Sequence, residues 1–216
     1  TVVVAAGATA WTYNLPALAQ GSYTYYATST DAADNTSVSS VALPVVIDTT
    51  NPTATAAFVS DTGTVQSPAT AITSVGNFTI TAGDLGGSGL SANAVNVAIS
   101  GPVALPATDY ASAAAAQAAI DAFMDAREVA HNDGTYTITV IAKDVAGNSS
   151  TPATASLVLD TTNPTTPTIG LVADTGTPGD FLTKNAAINI TAGGTDANGV
   201  SLQYSVNGGG WVDGAG

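Results

Sequence analysis

Asp133-Gly-Thr-Tyr136-Thr-Ile138-Thr-Val140-Ile-Ala142-Lys-Asp144-Val-Ala-Gly147-Asn148 reads as one long strand between two turns. Tyr136, Ile138, Val140 and Ala142 alternate with Thr135, Thr137, Thr139 and Ile141, the period of a strand with one buried face. Asp133-Gly134 before it and Ala146-Gly-Asn148 after it are turn signals. The pattern occurs twice. Gly21-Ser-Tyr23-Thr-Tyr25 matches Gly134-Thr-Tyr136-Thr-Ile138, and Asp31-Ala-Ala-Asp34-Asn35-Thr-Ser37 matches Asp144-Val-Ala-Gly147-Asn148-Ser-Ser150, each at an offset of 134 − 21 = 144 − 31 = 113.

Three more blocks repeat in the same order. Asp48-Thr-Thr-Asn-Pro52 recurs as Asp160-Thr-Thr-Asn-Pro164, and Asp61-Thr-Gly63-Thr as Asp174-Thr-Gly176-Thr. Phe78-Thr-Ile80-Thr-Ala-Gly83 resembles Ile188-Asn-Ile190-Thr-Ala-Gly193. Five ordered blocks define a tandem array with a unit of roughly 110 residues. Taking Asp-Thr-Thr-Asn-Pro as the boundary divides the chain into residues 1–48, the late half of one unit; 49–160, a whole unit; and 161–216, the early half of another. The short runs Val45–Ile47, Phe78–Ile80, Leu157–Leu159 and Ile188–Ile190 lie between turns such as Gly86-Gly-Ser-Gly89 and Asn207-Gly208. They predict an all-β chain of tandem sandwiches. One segment departs from this. Ser112 to Ala126 is Ala-rich, with Ser112 as N-cap and Ala116, Ile120, Phe123 and Met124 on one face. It predicts a short helical insertion near 112–126.

Composition narrows function. The 216 residues hold 3 Lys+Arg and 16 Asp+Glu, a net charge of −13. Arg127, Lys143 and Lys184 are too few to track phosphates, which excludes nucleic-acid binding. There is no Cys, hence no disulfide or thiolate site. No apolar run reaches the ~18 residues of a membrane helix. The chain has no initiator Met or leader and is expected to be a piece of something longer. Every acid but Glu128 is Asp, the residue of turns, caps and hard-cation sites.

The blocks, in their order and spacing, resemble the bacterial immunoglobulin-like repeats of large secreted calcium-binding adhesins, over nearly the whole chain except the helical insert. The resemblance implies Greek-key immunoglobulin-like β-sandwiches, extracellular or on the bacterial cell surface, that bind Ca²⁺ and form stiff extensions in adhesion or biofilm formation. Asp133-Gly-Thr-Tyr136 matches the tyrosine corner of such domains, and Ile138 stands where antibody domains place a Cys. Asp34 departs from the pattern by replacing a turn Gly.

The repeated Asp residues point to Ca²⁺, which takes six to eight oxygen ligands. Two junction sites are expected. The first draws on Asp31, Asp34, Asn35, Asp48 and Asp61; the second draws on Asp144, Asn148, Asp160 and Asp174, with Asp180 nearby. The competing reading is that each Asp caps its own turn. Catalysis is not expected, since the lone His131 precedes a turn and lacks a counterpart in the first unit, and no His ligand pair or phosphate-cradling loop appears. The alternative function is glycan or surface binding through Trp11, Tyr13, Tyr204 and Trp211, residues that an immunoglobulin-like domain otherwise uses as core. The expected partners are neighbouring repeats of the same protein. Either residues 161–216 of one copy complete residues 1–48 of the next, head to tail in a fibre, or the chain is a window on a longer covalent array.

Overall fold

The computed structural model describes residues 10, 12–59, 72–194, 196 and 199–214. Among the described residues, thirteen strands and one helix follow in order: β1 Gly21–Tyr25, β2 Leu43–Ile47, β3 Thr53–Phe58, β4 Ile72–Thr73, β5 Phe78–Gly83, β6 Leu90–Ser100, β7 Leu105–Tyr110, α1 Ala113–Val129, β8 Gly134–Asp144, β9 Ala153–Leu159, β10 Thr168–Leu171, β11 Ile188–Thr191, β12 Gln203–Tyr204 and β13 Val212–Asp213. The all-β expectation holds, with one helix.

The middle of the chain forms a sandwich. One layer is the five-stranded sheet β4-β9-β8-β6-β7, and the other begins with the antiparallel pair β3-β5. β4 runs parallel to β9, Ile72 opposite Val158 and Thr73 opposite Leu159. Alternation in β8 buries Tyr136, Ile138, Val140 and Ala142 completely, and the first three join Phe78, Val97, Leu157 and Leu159 in the core. The tyrosine corner forms: the Tyr136 hydroxyl donates to Asn132 O at 2.8 Å. Its counterpart repeats the contact, Tyr23 Oη donating to Ala19 O at 2.9 Å.

The helix starts where the sequence places it. Ser112 Oγ accepts from Ala115 N at 3.1 Å, and the helix runs one turn past Ala126, ending before His131 takes φ 50°. Ala116, Ile120 and Met124 are buried in the core, with Phe123 packed against it. Phe123 meets Tyr136 edge-on at 6.4 Å, and Arg127 lies 4.9 Å over its ring.

α1 does more than cover the core. Alongside β5, on the edge facing away from β3, it supplies one side-chain amide where a third strand would lie. Gln117 Oε1 accepts from Ile80 N at 3.0 Å, and Gln117 Nε2 donates to Phe78 O at 2.7 Å. A carbonyl and the N–H two residues on point to the same side of a strand, so this is the pair a neighbouring strand would engage. Asp121 Oδ1 accepts from the same Nε2 at 2.8 Å and fixes the amide. Gln117→Ala leaves both backbone groups without their partner, at about 1–3 kcal/mol. The expected result is faster hydrogen exchange at Ile80 N, with exchange in the middle of β8 unchanged relative to global stability.

Candidate metal centre

Three chain segments meet at one end of the middle sandwich: the residues leading into β3, the β5–β6 loop and the β8–β9 turn. Each brings one carboxylate. Asp48, Asp84 and Asp144 each offer an oxygen within 4.8 Å of the other two. Two oxygens on opposite sides of one Ca²⁺, each at 2.3–2.6 Å, lie about 5 Å apart. The spacing therefore suits three ligands of a single ion.

Each carboxylate is held from behind. Asp144, 3% exposed, accepts from Asn148 N and Asn148 Nδ2, both at 2.7 Å. The same Nδ2 lies 3.2 Å from Asp48 O and 3.4 Å from Thr50 O, tying the turn to the start of the unit. Asp48 Oδ2 accepts from Ser88 N at 2.6 Å, and Oδ1 from Thr50 N at 3.0 Å. The hydroxyl and N–H of Ser88, then the N–H of Thr50, hold the Asp48 carboxyl below its ordinary value. Asp84 Oδ2 accepts from Gly89 N at 2.7 Å, whereas its Oδ1 is buried without a hydrogen-bond partner. The loop passes so close that a Cβ on Gly87 would sit 2.6 Å from Asp84 Oδ2 and 2.7 Å from Asp48 Oδ2.

Like charges at ~4 Å repel by about 4 kcal/mol at an effective dielectric constant of ~20. Three carboxylates at this spacing, one with an oxygen lacking any donor, are a strained arrangement unless protons or a cation neutralise them. The donor set is all hard oxygen, without His or Cys, which suits Ca²⁺ over zinc or copper.

The residues singled out from sequence fall into different places. Asp48, Asp144 and Asn148 come together. Asp31 and Asn35 form the same turn as Asp144 and Asn148, Asn35 N and Nδ2 donating to Asp31 at 2.9 and 2.8 Å, but on the exposed surface of the preceding half-unit. These bonds, the side-chain one foremost, lower the Asp31 carboxyl's pKa. Asp34 takes φ 66° where Gly147 takes φ 97°, so the turn survives the substitution. Asp61 lies outside the described residues, as does Trp11. Asp174 Oδ2 accepts from Gly179 N at 2.8 Å, and Asp180 Oδ1 from Leu182 N at 2.9 Å. Asp160 follows β9, whose Leu159 pairs with Gly134 at the opposite end of β8 from Asp144.

The grouping by junction is thus corrected. β8 carries its late turn back to the unit's own entrance, so Asp144 and Asn148 meet Asp48 rather than Asp160. Asp31 and Asn35, the expected partners of Asp48, bond to each other within their own exposed turn instead. Asp84 escaped the sequence reading because it lies just past the Phe78–Gly83 block, and Gly194 stands at its place in the next unit (84 + 110 = 194). The signal available was its position before the Gly86–Gly89 turn. Two junction residues were also missed. Gln20 Nε2 donates to Gly86 O at 2.7 Å, and Thr50 Oγ1 donates to Gln20 Oε1. Asp133, at the matching position, accepts from Thr161 N at 2.8 Å and Thr162 Oγ1 at 2.5 Å. Burial raises the Asp133 pKa, but these hydrogen bonds and the charge of His131 leave it lowered on balance. Of the aromatics, Trp211 is 72% exposed and Tyr13 is exposed as well, so neither is core.

No curated protein matches the chain. The family model described as a bacterial Ig-like domain (group 3) matches residues 7–159, more than half of the sequence and all of the middle sandwich. The parallel β4–β9 pair, the tyrosine corner and the two-layer core are the structural counterpart of that match, and the chain belongs to the bacterial Ig-like domain family.

Proposed function

We propose that Asp48, Asp84 and Asp144 bind a calcium ion, and that the chain is a calcium-stiffened repeat segment of a bacterial extracellular adhesin or surface fibre. The observation that carries this reading is the meeting of three carboxylates from three segments, with a buried Asp84 oxygen that no donor satisfies. Extracellular modules bind Ca²⁺ at roughly 10⁻⁴–10⁻³ M, within reach of a site with three carboxylates and open coordination positions. The mechanical role follows from what the ligands join. Asp48 leads into the unit, and the Asp84 loop is where Gln20 of the preceding half-unit docks through Gly86 O. Fixing the loop fixes the seat of Gln20, so ion binding and the bend between units are coupled.

Calorimetric titration of the whole chain with CaCl₂, together with small-angle scattering in calcium and in chelator, tests this. Asp84→Ala, which removes the donor-free oxygen, and Gly87→Ala, which pushes a methyl against two of the carboxylates, are each expected to weaken binding at least tenfold. Both are expected to abolish the calcium-dependent change in maximum dimension. Calcium affinity unchanged in both variants would place the ion elsewhere. Affinity lost without any change in scattering would keep the site and reject the stiffening role.

A further inference from the structure

The turn before β8 grips the chain that leaves β9. Gly134 opposite Leu159 is the last pair of the β8–β9 ladder, so Asp133 stands beside the strap Asp160-Thr-Thr-Asn-Pro164 that leads to β10. β4 follows β9 one residue further, Asp160 N donating to Thr73 O at 2.9 Å. From there the grip passes to a side chain. Asp133 Oδ1 accepts from Thr161 N at 2.8 Å and from Thr161 Oγ1 at 2.6 Å, and Oδ2 accepts from Thr162 Oγ1 at 2.5 Å. Thr161 Oγ1 has one proton, and Asp133 takes it. In the 2.8 Å contact between that hydroxyl and His131 Nδ1, the imidazole N–H is therefore the donor.

The mount is firm. Tyr136, fully buried, holds Asn132 O through its hydroxyl at 2.8 Å. Asn132 N donates to Arg127 O at 3.0 Å and His131 N to Glu128 O at 3.1 Å, so the turn hangs from the end of α1. The strap is stiff on its far side. Pro164 has a fixed φ and confines Asn163 to extended conformations, which leaves little freedom beyond Thr162.

The preceding junction repeats the device with different chemistry. Gly21 opposite Ile47 closes the β1–β2 ladder, and Gln20 stands just before it. Thr50 Oγ1 donates to Gln20 Oε1 as Thr162 Oγ1 donates to Asp133. Gln20 spends its amide N–H on Gly86 O, in the loop that carries Asp84. Asp133 instead gives both oxygens to the strap, and bonds to a carboxylate are roughly twice as strong as neutral ones.

We propose that Asp133 is a latch that fixes the direction in which the chain leaves the middle sandwich, and that the protein's own hydrogen bonds hold this junction without an ion. Withdrawal of calcium then leaves this exit held. The cluster of Asp48, Asp84 and Asp144 lies at the other end of β8, so the latch stands or falls independently of the calcium reading.

The chain has no Cys, so spin labels can be confined to Thr154→Cys on β9 and Thr166→Cys beyond Pro164, both exposed positions. In chelator, pulsed electron resonance on the labelled whole chain is expected to give one narrow distance distribution. Asp133→Ala is expected to broaden it at least twofold and to speed hydrogen exchange at Thr161 N at least tenfold. Thr161→Val combined with Thr162→Val removes both hydroxyl donors and leaves the turn before β8 intact. It is expected to broaden the distribution as well, which keeps the test open if Asp133→Ala does not fold. A width unchanged in the double valine variant overturns the proposal. So does a distribution already broad in chelator, and its narrowing on addition of calcium would give the junction to an ion instead.

Discussion

Asp84→Asn melts above the unmodified chain in chelator and below it in calcium. The substitution keeps an oxygen to accept from Gly89 N, places its NH2 where Oδ1 has no donor to oppose it, and removes one of three crowded charges. Without the ion, that relief is worth on the order of 1–2 kcal/mol at effective dielectric constants near 20. With the ion, the unmodified chain gains about 2.7 kcal/mol at a hundredfold excess of calcium over Kd, and the variant loses most of this. For a sandwich of this size each kcal/mol moves Tm by roughly 4–8 °C, so the order of the two curves reverses across a gap of 10 °C or more. The effect has a pH limit. Ser88 and Thr50 hold the Asp48 carboxyl low in the folded state, so its contribution is complete above the unfolded value of about 3.9 and disappears as pH falls through the folded one. The calcium increment is therefore lost in acid, where protons compete for the same oxygens. Scanning calorimetry with and without calcium reads all of this. Equal calcium increments in both proteins would remove Asp84 from the site.

Ile120→Ala destabilises the whole middle sandwich, not the helix alone. Ile120 has no exposed surface and belongs to the same core as Phe78, Ile99 and Tyr136. An aliphatic side chain truncated there costs about 2–5 kcal/mol. That corresponds to a fall in Tm of roughly 10–30 °C for a unit of about 100 residues. Circular dichroism followed in the helix band and the strand band is expected to show one coincident transition at the lower temperature. A helix band that melts early over an unchanged strand band would make α1 an appendage. This is the substitution that separates a structural layer from a decoration.

The strands were legible because period-two burial is written directly into segments such as Tyr136–Ala142, and the repeat was legible because whole blocks recur. The helix was legible from Ala content and Ser112. Its role was not: nothing in one sequence says that Gln117 occupies a strand's place, because a glutamine on a helix face is ordinary. The cluster of carboxylates was half legible. Repetition drew attention to Asp48 and Asp144 and away from Asp84, which is not repeated. The grouping failed on direction. Deciding which end of β8 faces which boundary requires the order of strands in the sheet, and local pattern carries no such information.

Tandem units with near-identical strand registers face a hazard in folding: a hairpin from one unit can settle on the wrong neighbour. β1–β2 and β8–β9 share their pairing pattern, so either is a candidate to invade a neighbour's open edge during folding. In the middle unit that edge is shut. With Gln117 occupying Phe78 O and Ile80 N, β5 offers an intruding strand no vacant pair of groups there, and displacing the helix would also expose Ile120 and Met124. One side chain thus occupies, at this edge, the pair of backbone groups that a hairpin of similar register would need in order to settle there.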